Sequence, residues 1–346
     1  MKQPTPIYQV TLNGKDLTSK ISPRLVSLSL DESRSDEADT LMLVLDDSDG
    51  KLAIPRRGEV VRVAFGWEDT GLVEKGSFTI NEVEHAGAPD TLTIQARSAS
   101  MTNAMSERKE KSWHRESIGA IVRKIAGAHD LKAAVADALA KVVIAHIDQT
   151  HESDMSFLTR LAKRYDAVMN VKDTHLLFMP IGHGTTASGK PLTSIDLTRK
   201  DGDRHRYHVS ERENYSAVRA HYSVTGEARR KSVIVGGANN HSVKVLPETY
   251  PTEAEARAAA AAELNRTQRS QATMSYTLAL GRPDLYPEIP VYLSGFNKPE
   301  IDDESWLAKK VRHELSDGGY TTALELETRD DPTSDRHRSH FRKGSR

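Results

Sequence analysis

The chain carries one ordered strand pattern twice, near its two ends. In each half a glycine is followed by an aromatic residue, by a histidine seven positions after that residue, and by a run that alternates between apolar and polar residues. The two sets are Gly66, Phe78, His85 and TLTIQAR, and Gly295, Trp306, His313 and TTALELETR. Alternation with a period of two is typical of β-strands with one buried face. The repeated order therefore predicts an internally duplicated β-domain.

Other segments of both halves are also typical of antiparallel strands. In the first half the runs TLMLVL and VVRVAFGW follow a strand that ends at an Asn13-Gly14 turn. In the second half ATMSYTLAL, VYLSGF and SWLAKKVRHEL continue the pattern to Arg329. We expect an α+β, mainly β fold, with two related antiparallel β-barrel (tube-like) domains and a small α/β domain between them.

The segment between the halves has helical spacing. Ile118, Ile121, Val122 and Ile125 recur at i, i+3, i+4 and i+7, which predicts a helix that ends near Gly127. The alanine-rich KAAVADALAKVV that follows indicates a second helix, although AKVVIAHI is equally compatible with a strand at its end. Both interpretations stay open at this point.

Residues 151–167, HESDMSFLTRLAKRYDA, predict a further helix. Ser153 or Asp154 is placed to accept a hydrogen bond from a free amide of its first turn. The apolar positions on one face are Leu158, Leu161, Ala162 and Tyr165. The following AVMNV and THLLFMPIG predict a β-hairpin.

Changes in composition predict the domain boundaries. GHGTTASGKPLTS, residues 182–194, is typical of a linker or long loop, and PTEAEARAAAAAELNR predicts a helix with a capping box formed by Thr252 and Glu255. The predicted division is a first β-barrel at 1–104, an outer α/β domain at 105–185, a second β-barrel at 186–235 and 272–330, an inserted helical segment at 236–271, and a mobile basic tail at 331–346.

Charge and composition argue against several classes of protein. The 48 Lys and Arg residues nearly cancel the 49 Asp and Glu residues, so we expect no direct nucleic-acid recognition and no attraction to a membrane. The absence of cysteine excludes disulfides and thiolate metal sites. No apolar run approaches the ~18 residues of a membrane helix, and the N-terminus lacks the apolar core of a signal peptide.

The charges act locally instead. Between Asp31 and Gly50, eight acidic residues against Arg34 alone give an acidic rim with a net charge of −7. The segment from Asp331 onwards has a net charge of +3. We expect both to assist docking with oppositely charged partners.

Two patterns resemble catalytic or calcium sites. His151, Ser153 and Asp154 have the residue types of a hydrolase triad, but adjacent side chains at a helix start diverge, so a helix cap is the better interpretation. DDSDGK resembles a calcium loop, but Leu45 and Arg56 stand where its first and twelfth ligands belong. We expect no catalytic residue and a hydrated turn.

Histidine pairs are the remaining metal candidates. His205 with His208, and His337 with His340, have neither a third histidine nor a carboxylate at ligand spacing. We therefore expect no metal and no cofactor, with an ion on a symmetry axis left open.

Seven segments taken in order resemble the late control protein D family of P2-like contractile phage tails, which is similar to hub proteins of larger myophages and to the N-terminal part of VgrG spikes. The segments are VTLNGKDLT, ADTLMLVLDD, GEVVRVAFGW, GSFTINEVEH, KEKSWHRESIGAIVRKIA, QTHESDMSFLTRLAKRYDA and GRPDLYPEIPVYLSGF. The resemblance covers about Ile7 to Arg329.

The resemblance implies a structural protein of the virion tail baseplate, assembled in the cytoplasm of the bacterial host. It implies a homotrimeric baseplate hub whose two barrels per chain form a pseudo-sixfold ring. Such a ring adapts a hexameric tail tube protein to a trimeric spike protein, with other baseplate proteins as further partners. We expect the spike to be a separate chain.

The resemblance also implies partner contacts through the two barrels, with the α/β part facing outward. The candidate contact residues are Val61, Val63, Phe65, Trp67, Tyr286, Val291, Tyr292, Leu293 and Phe296. An alternative function is a cell-envelope hydrolase associated with the tail, using Ser153, His151 or the acidic rim. A hub of a bacteriocin or secretion-type particle fits the same residues, and neighbouring genes would distinguish it from a phage protein.

Overall fold

One hydrogen-bonded sheet of thirteen strands runs through both halves of the chain. The computed structural model describes residues 4–34, 38–98, 103–172, 175–182, 184, 192–210, 215–224, 229–237 and 242–329, and every statement of absence below concerns these residues. The first half forms β1 (Pro6–Leu12), β2 (Lys15–Asp16), α1 (Thr18–Ile21), β3 (Leu25–Ser33), β4 (Thr40–Asp46), β5 (Val60–Trp67), β6 (Gly71–Ala86) and β7 (Thr91–Ser98).

The second half supplies the other strands of this sheet and an inserted unit. Its sheet strands are β13 (Ile195–Thr198), β14 (Gly202–Val209), β18 (Ala272–Leu278), β19 (Pro290–Ser294), β20 (Ser305–Ser316) and β21 (Gly319–Thr328). The other elements are β15 (Ala217–Ser223), β16 (Arg230–Gly236), β17 (Val243–Tyr250), α5 (Glu253–Arg269) and α6 (Pro299–Asp302).

The two halves share one strand order. In the first half the neighbours run β3-β4-β7-β6-β5-β1, and in the second β14-β18-β21-β20-β19-β13. Numbered along the chain, both are the same arrangement of six strands. They differ at the last pair, because β1 is antiparallel to β5 whereas β13 is parallel to β19.

Irregularities of the strands repeat as well. β6 bulges between Ile80 and Glu82 against β7, and β20 bulges between Ala308 and Lys310 against β21. Strands β3 and β14 carry a second matching pair of bulges, next to Leu25 and Gly202 respectively. A bulge inserts one residue and re-aims the strand, so two pairs of matching bulges in matching strands confirm the duplication predicted from sequence.

The two repeats are joined edge to edge. Strand β3 of the first repeat pairs with β20 of the second over Lys310–Ser316, in addition to pairing with β4. Within the described residues no strand pairing closes either repeat into a barrel by itself. The mainly β, antiparallel fold is confirmed, and the repeats form one continuous sheet.

A smaller α/β unit lies between the repeats in the chain. It consists of β8 (Arg108–Ser117), α2 (Ile118–Ala128), β9 (Lys132–Val135), α3 (Asp137–Ala140), β10 (Val143–Ser153), α4 (Asp154–Arg164), β11 (Ala167–Lys172) and β12 (His175–Pro180). The predicted apolar faces of α2 and α4 pack into one cluster around Trp113 and Phe157. The predicted hairpin is confirmed as β11 and β12.

The alanine-rich segment of this unit is the main local difference from the sequence. KAAV forms β9, which pairs in parallel with β12, and only Asp137–Ala140 turn into a helix. The predicted second helix is confined to the one turn Asp137–Ala140, and the strand alternative is confirmed by β10. Alanine favours helix locally, but an edge next to β12 offers ladder hydrogen bonds that outweigh this weak preference.

The inserted unit of the second half combines β16-β15-β17 with α5. Alanines of α5, including Ala256, Ala259 and Ala260, pack against Val218 and Ala220 of β15. Thr252 caps α5 as predicted, accepting from the amide of Glu255. The Glu255 carboxylate instead accepts from the Ala145 amide and pairs with Arg164, so it links α5 to the α/β unit.

Some predictions lie outside the described residues. They concern the basic tail with His337 and His340, and parts of the linker at 182–194 and of the acidic rim. None of the described helices combines the length and the apolar character needed to cross a membrane.

Candidate assembly interface

The seam between the repeats is an antiparallel strand pair with opposite charges on its two sides. Arg312 lies opposite Asp31 in the ladder, and Lys310 is its neighbour on the same face. The Asp31 carboxylate is 3.4 Å from Arg312 and 3.7 Å from Lys310. The charges are partly exposed, so each pair adds little stability, but their signs favour this pairing and register.

Beneath the seam lies a buried polar cluster. The Lys75 ammonium, on β6, donates to the Glu32 carboxylate of β3 at 2.9 Å and to the carbonyl oxygen of Leu285 at 2.8 Å. His313 of β20 approaches the same Glu32 carboxylate at 3.4 Å. Buried charges are tolerated when they are paired and hydrogen-bonded, so this cluster fixes three strands from both repeats in one arrangement.

His313 is fully buried and held from both sides of its ring. Its Nδ1 lies 2.9 Å from the Tyr320 hydroxyl and 3.1 Å from the Thr322 hydroxyl. Burial lowers the pKa of His313, although the Glu32 carboxylate opposes this shift. Burial also raises the pKa of Tyr320. His313 is therefore neutral near pH 7 and acts as a structural hydrogen-bonding group.

An ion network connects the seam to the α/β unit. Arg34, which follows β3, pairs with Glu288 and Glu327 of the second repeat. Arg269 at the end of α5 joins Glu327 at 3.1 Å and Asp166 at 2.7 Å. Burial raises the pKa of Glu288, while the Arg34 guanidinium opposes that shift. The network therefore ties three parts of the chain to one another.

Several strand edges of this sheet are open among the described residues, including those of β1 and β13, and the edges of β14 and β6 are the two considered for assembly. Strand β14 pairs with β18 on one side and, among the described residues, with no strand on the other. Strand β5 covers β6 only from Gly71 to Thr79, so the segment from Glu82 to Ala86 pairs with β7 alone. Open edges of this length are sites at which another chain adds a strand.

The predicted contact residues divide into two groups. The first group is buried inside the repeats: Val61, Val63, Phe65, Val291 and Leu293. The second group is partly exposed: Trp67, Tyr286, Tyr292 and Phe296. Trp67 donates from Nε1 to the Gly281 carbonyl at 2.8 Å and so contributes to the contact between repeats within one chain. The role of all nine residues in binding partners stays a prediction.

The charged seam residues were not among the predicted contacts. Asp31, Lys310 and Arg312 form the seam, and Glu32 with Lys75 form its buried support. One sequence signal was available, since AKKVRHEL places charges on one face of a strand and a histidine among apolar residues on the other. The partner strand of that face could not be read from the sequence.

The side chains that the hydrolase alternative would use for catalysis have structural roles instead. The Ser153 hydroxyl accepts from the Ser156 amide at 3.1 Å and caps α4. Asp154 accepts from Lys109 at 2.6 Å and lies 2.7 Å from His129. His151 is largely exposed and pairs with Glu110. Ser153 and His151 are thus not arranged as a nucleophile and its base.

The calcium-like loop is used for turn contacts. Arg24 binds Asp49 through two hydrogen bonds of 2.7 and 2.6 Å, which lowers the pKa of Asp49. Asp47 accepts from the Leu52 amide and approaches His85 at 3.2 Å. No group of three or more potential metal ligands occurs among the described residues.

Comparison with known proteins identifies the family. Residues 35–319 match the family model described as phage tail baseplate hub (GPD). The chain is 42% identical to a probable baseplate hub protein of Escherichia phage 186, over 94% of this chain and 93% of that protein. It is 41% identical to a probable baseplate hub protein of Escherichia phage P2, over 94% of each.

Solved structures share the fold at low sequence identity. A tail protein from Neisseria meningitidis MC58 has a TM-score of 0.70 at 16% identity, covering 95% of this chain and 97% of its own. A 43 kDa tail protein of prophage MuSo2 from Shewanella oneidensis has a TM-score of 0.69 at 14% identity, covering 93% and 98%. A component of the type VI secretion system of Escherichia coli has a TM-score of 0.55 at 14% identity, covering 89% and 74%.

These matches span nearly the whole chain and agree with the duplicated tail-protein fold described above. They confirm the resemblance noted from the sequence, and with it a structural role in the tail baseplate in place of an enzymatic one. The chain belongs to the phage tail baseplate hub (GPD) family.

Proposed function

We propose that this baseplate hub acts as a homotrimer, in which six β-repeats form a pseudo-sixfold ring between a hexameric tail tube and a trimeric spike. The observation that carries the proposal is the six-strand unit that occurs twice in one chain with one strand order and two matching bulges. Three copies of a doubled unit present six similar faces while keeping true threefold symmetry. Such a ring can bind both a partner with sixfold symmetry and a partner with threefold symmetry.

The seam inside the chain supports the same proposal. Strand β3 and strand β20 already join two repeats side by side through hydrogen bonds. A ring needs the same kind of junction between chains, and the open edges of β6 and β14 are available for it. Joining β6 to β14 at each junction between chains would leave neither of these two edges unpaired.

We propose the domain division predicted from sequence as the working scheme for this hub. Four hydrophobic clusters support it: one in the α/β unit, one in the second repeat, one beneath α5, and one in the first repeat that also includes Leu315 and Tyr320 of the second. In this scheme the α/β domain at 105–185 faces outward. The strands with Trp67 and Tyr292 would then contribute contacts to the tube or the spike.

The test is the mass of the native chain in solution, alone and with its spike protein. We expect three copies of the 38.3 kDa chain, formed alone or on addition of the spike. A stable dimer, or a chain that stays monomeric with the spike bound to it, would overturn the ring. A two-dimensional class average viewed along the axis should show six similar lobes.

A further inference from the structure

The duplication predicts which edges would meet between two copies. Strand β20 pairs with β19 through Ser305–Leu307 and then with β3 through Lys310–Ser316 on the same side. Its counterpart β6 pairs with β5 through Gly71–Thr79, and no described strand occupies the equivalent of the β3 position. The counterpart of β3 is β14, which has an open edge. Each repeat thus has one of the two open strand edges that a second seam of this kind would need.

The matching bulges set the residue correspondence. Counting from the bulges, Glu82, Glu84 and His85 of β6 correspond to Lys310, Arg312 and His313 of β20. In the same way, Leu30 and Asp31 of β3 correspond to Tyr207 and His208 of β14. The register of the existing seam can therefore be transferred residue by residue.

We propose that the open edge of β6 pairs antiparallel with β14 of a second copy, in the register of the β3–β20 seam. This inference rests on the trimeric ring proposed above and specifies its subunit interface. The predicted pairs are Val83 with Val209, Glu84 with His208, His85 with Tyr207, and Ala86 with Arg206.

The charges on the two open edges are complementary. Glu82 and Glu84 are exposed on β6, and Arg204 and Arg206 are exposed on β14 on the same face as His208. In the transferred register Glu84 lies opposite His208 and diagonal to Arg206. Opposite charges at such positions stabilise a strand pair, and like charges oppose it.

The signs are reversed relative to the seam inside the chain. There the basic residues Lys310 and Arg312 lie on β20 and the acidic Asp31 lies on β3. In the proposed seam the acids lie on β6 and the bases on β14. Pairing β6 with β3 in this register would place Glu84 opposite Asp31, and these are like charges. Pairing β20 with β14 would place Arg312 opposite His208 but Glu314 opposite Arg206, which are opposite charges. Charge therefore favours each of the two seams and opposes the pairing of β6 with β3.

Apolar contacts support the same pairing. The Val209 side chain on β14 is 53% exposed, which is unusual for a strand valine, and the proposed register buries it against Val83. Both edges carry charges but no proline within the paired segments. The edges are thus complementary to each other and poorly suited to indiscriminate strand addition.

Cysteine pairs test the register directly, because the chain has no cysteine of its own. We choose two adjacent pairs, Glu84→Cys with His208→Cys and Val83→Cys with Val209→Cys. Hydrogen-bonded and non-hydrogen-bonded pairs alternate in an antiparallel ladder, so one of the two is the close type that admits a disulfide. After oxidation of the assembled hub, we expect that variant to run as a covalent trimer on a denaturing gel without reductant.

Three control variants calibrate the experiment. Asp31→Cys with Arg312→Cys occupies the equivalent seam within one chain, and Leu30→Cys with His313→Cys is the adjacent pair, so one of these should form a disulfide that leaves a monomer on the gel. Glu84→Cys with Val209→Cys places the thiols on opposite faces and should give no cross-link. The native mass of each variant is measured in parallel.

The outcomes separate this inference from the proposed ring. A native trimer that gives no cross-link with either pair, while the in-chain control does, would overturn the strand pairing and leave the ring standing. A chain that is never a trimer would overturn both. A covalent ladder beyond three chains would support the pairing and overturn the closed ring.

Charge reversal provides a second, independent test. We expect Glu82→Lys with Glu84→Lys to weaken trimer association on the order of tenfold or more, and Arg204→Glu with Arg206→Glu added to it to restore association. Glu74→Lys, on the part of β6 that β5 already covers, should have little effect. Circular dichroism of each monomer shows whether the fold is kept. Failure of the second change to restore association in folded chains would contradict the charge argument.

Discussion

Two histidines at equivalent positions of the two repeats have different surroundings. His85 and His313 occupy matching positions of β6 and β20. His85 is partly exposed beside Asp47, whereas His313 is fully buried beside Glu32 and Tyr320. The surroundings of His313 include Glu32 of β3, which is itself paired with Lys75 of β6, so they depend on the other repeat.

The buried histidine should make stability depend on pH. The unfolded chain protonates this side chain below about pH 6.5, and the folded chain resists because burial lowers the pKa of His313. The unfolded state then binds more protons, so the free energy of unfolding falls as the pH drops below about 6.5, by up to about 1.4 kcal/mol per pH unit. Urea unfolding between pH 7.5 and 5.5 measures the slope.

Comparing variants shows whether His313 causes this dependence of the free energy of unfolding on pH. His313→Gln should flatten the pH dependence, and His85→Gln, the matched position in the first repeat, is measured beside it as the comparison. Glu288 has the opposite sign, because its raised pKa adds stability as the pH falls. Equal slopes in the native chain and in His313→Gln would refute the assignment.

Ser153 is a helix cap, and its replacement should affect stability alone. Ser153→Ala removes the acceptor for the Ser156 amide and should lower the free energy of unfolding by about 1 kcal/mol. Ser153→Asp keeps an acceptor and should restore most of this loss. Chemical denaturation measures both, and an undiminished stability of Ser153→Ala would argue against the cap.

At the scale of elements, strong local signals were predictable and pairing between distant strands was not. The Asn13-Gly14 turn, α2, α4 and the β11–β12 hairpin follow from periodicity and turn residues, and the structure confirms them. The β3–β20 seam joins residues far apart in the chain, and several alternating strands have equally suitable patterns. Register between such strands depends on bulges and on charges that single strands do not reveal.

A close backbone approach in the β5–β6 hairpin gives a prediction at this scale. A Cβ atom at Gly66 would lie 1.9 Å from the carbonyl oxygen of Gly71, which is backbone and fixed by the ladder. We expect Gly66→Ala to lower the free energy of unfolding by roughly 1–3 kcal/mol. Thermal or urea unfolding of the purified chain checks this value.

The control is a glycine with free space around it. Gly127 of α2 has no neighbouring atom within 4 Å of an added Cβ. Gly127→Ala should therefore raise stability by about 0.5–1 kcal/mol, since alanine favours the helix. If both substitutions had the same effect, the close approach at Gly66 would not be the cause.

At the scale of the whole molecule, the ion network around Arg34 and Arg269 links regions of the chain that the sequence analysis assigned to different domains. Asp166 belongs to the α/β unit, Arg269 to α5, and Glu327 to the second repeat. The sequence predicted the order of these regions but not the network. Charged residues at region ends are common on surfaces, and only the fold shows that these are buried.

Breaking this network should destabilise the chain as a unit. Arg269→Met leaves Asp166 without its main partner, and the loss of one member of a buried pair costs about 3–5 kcal/mol. Arg257→Met removes an exposed pair with Glu253 on the same helix and should cost less than about 0.5 kcal/mol. Urea unfolding of both variants gives the comparison, and equal effects would contradict the coupling role.

The sixth strand of each repeat breaks the likeness between the halves, since β1 runs against β5 while β13 runs along β19. In a closed ring of three chains, a protein docked on the five shared strands would find similar binding sites at every sixth of a turn. One docked on the sixth strand would find them only at every third of a turn. Because the sixth strand runs in opposite directions in the two repeats, one ring would present six similar binding sites to one partner and three to another.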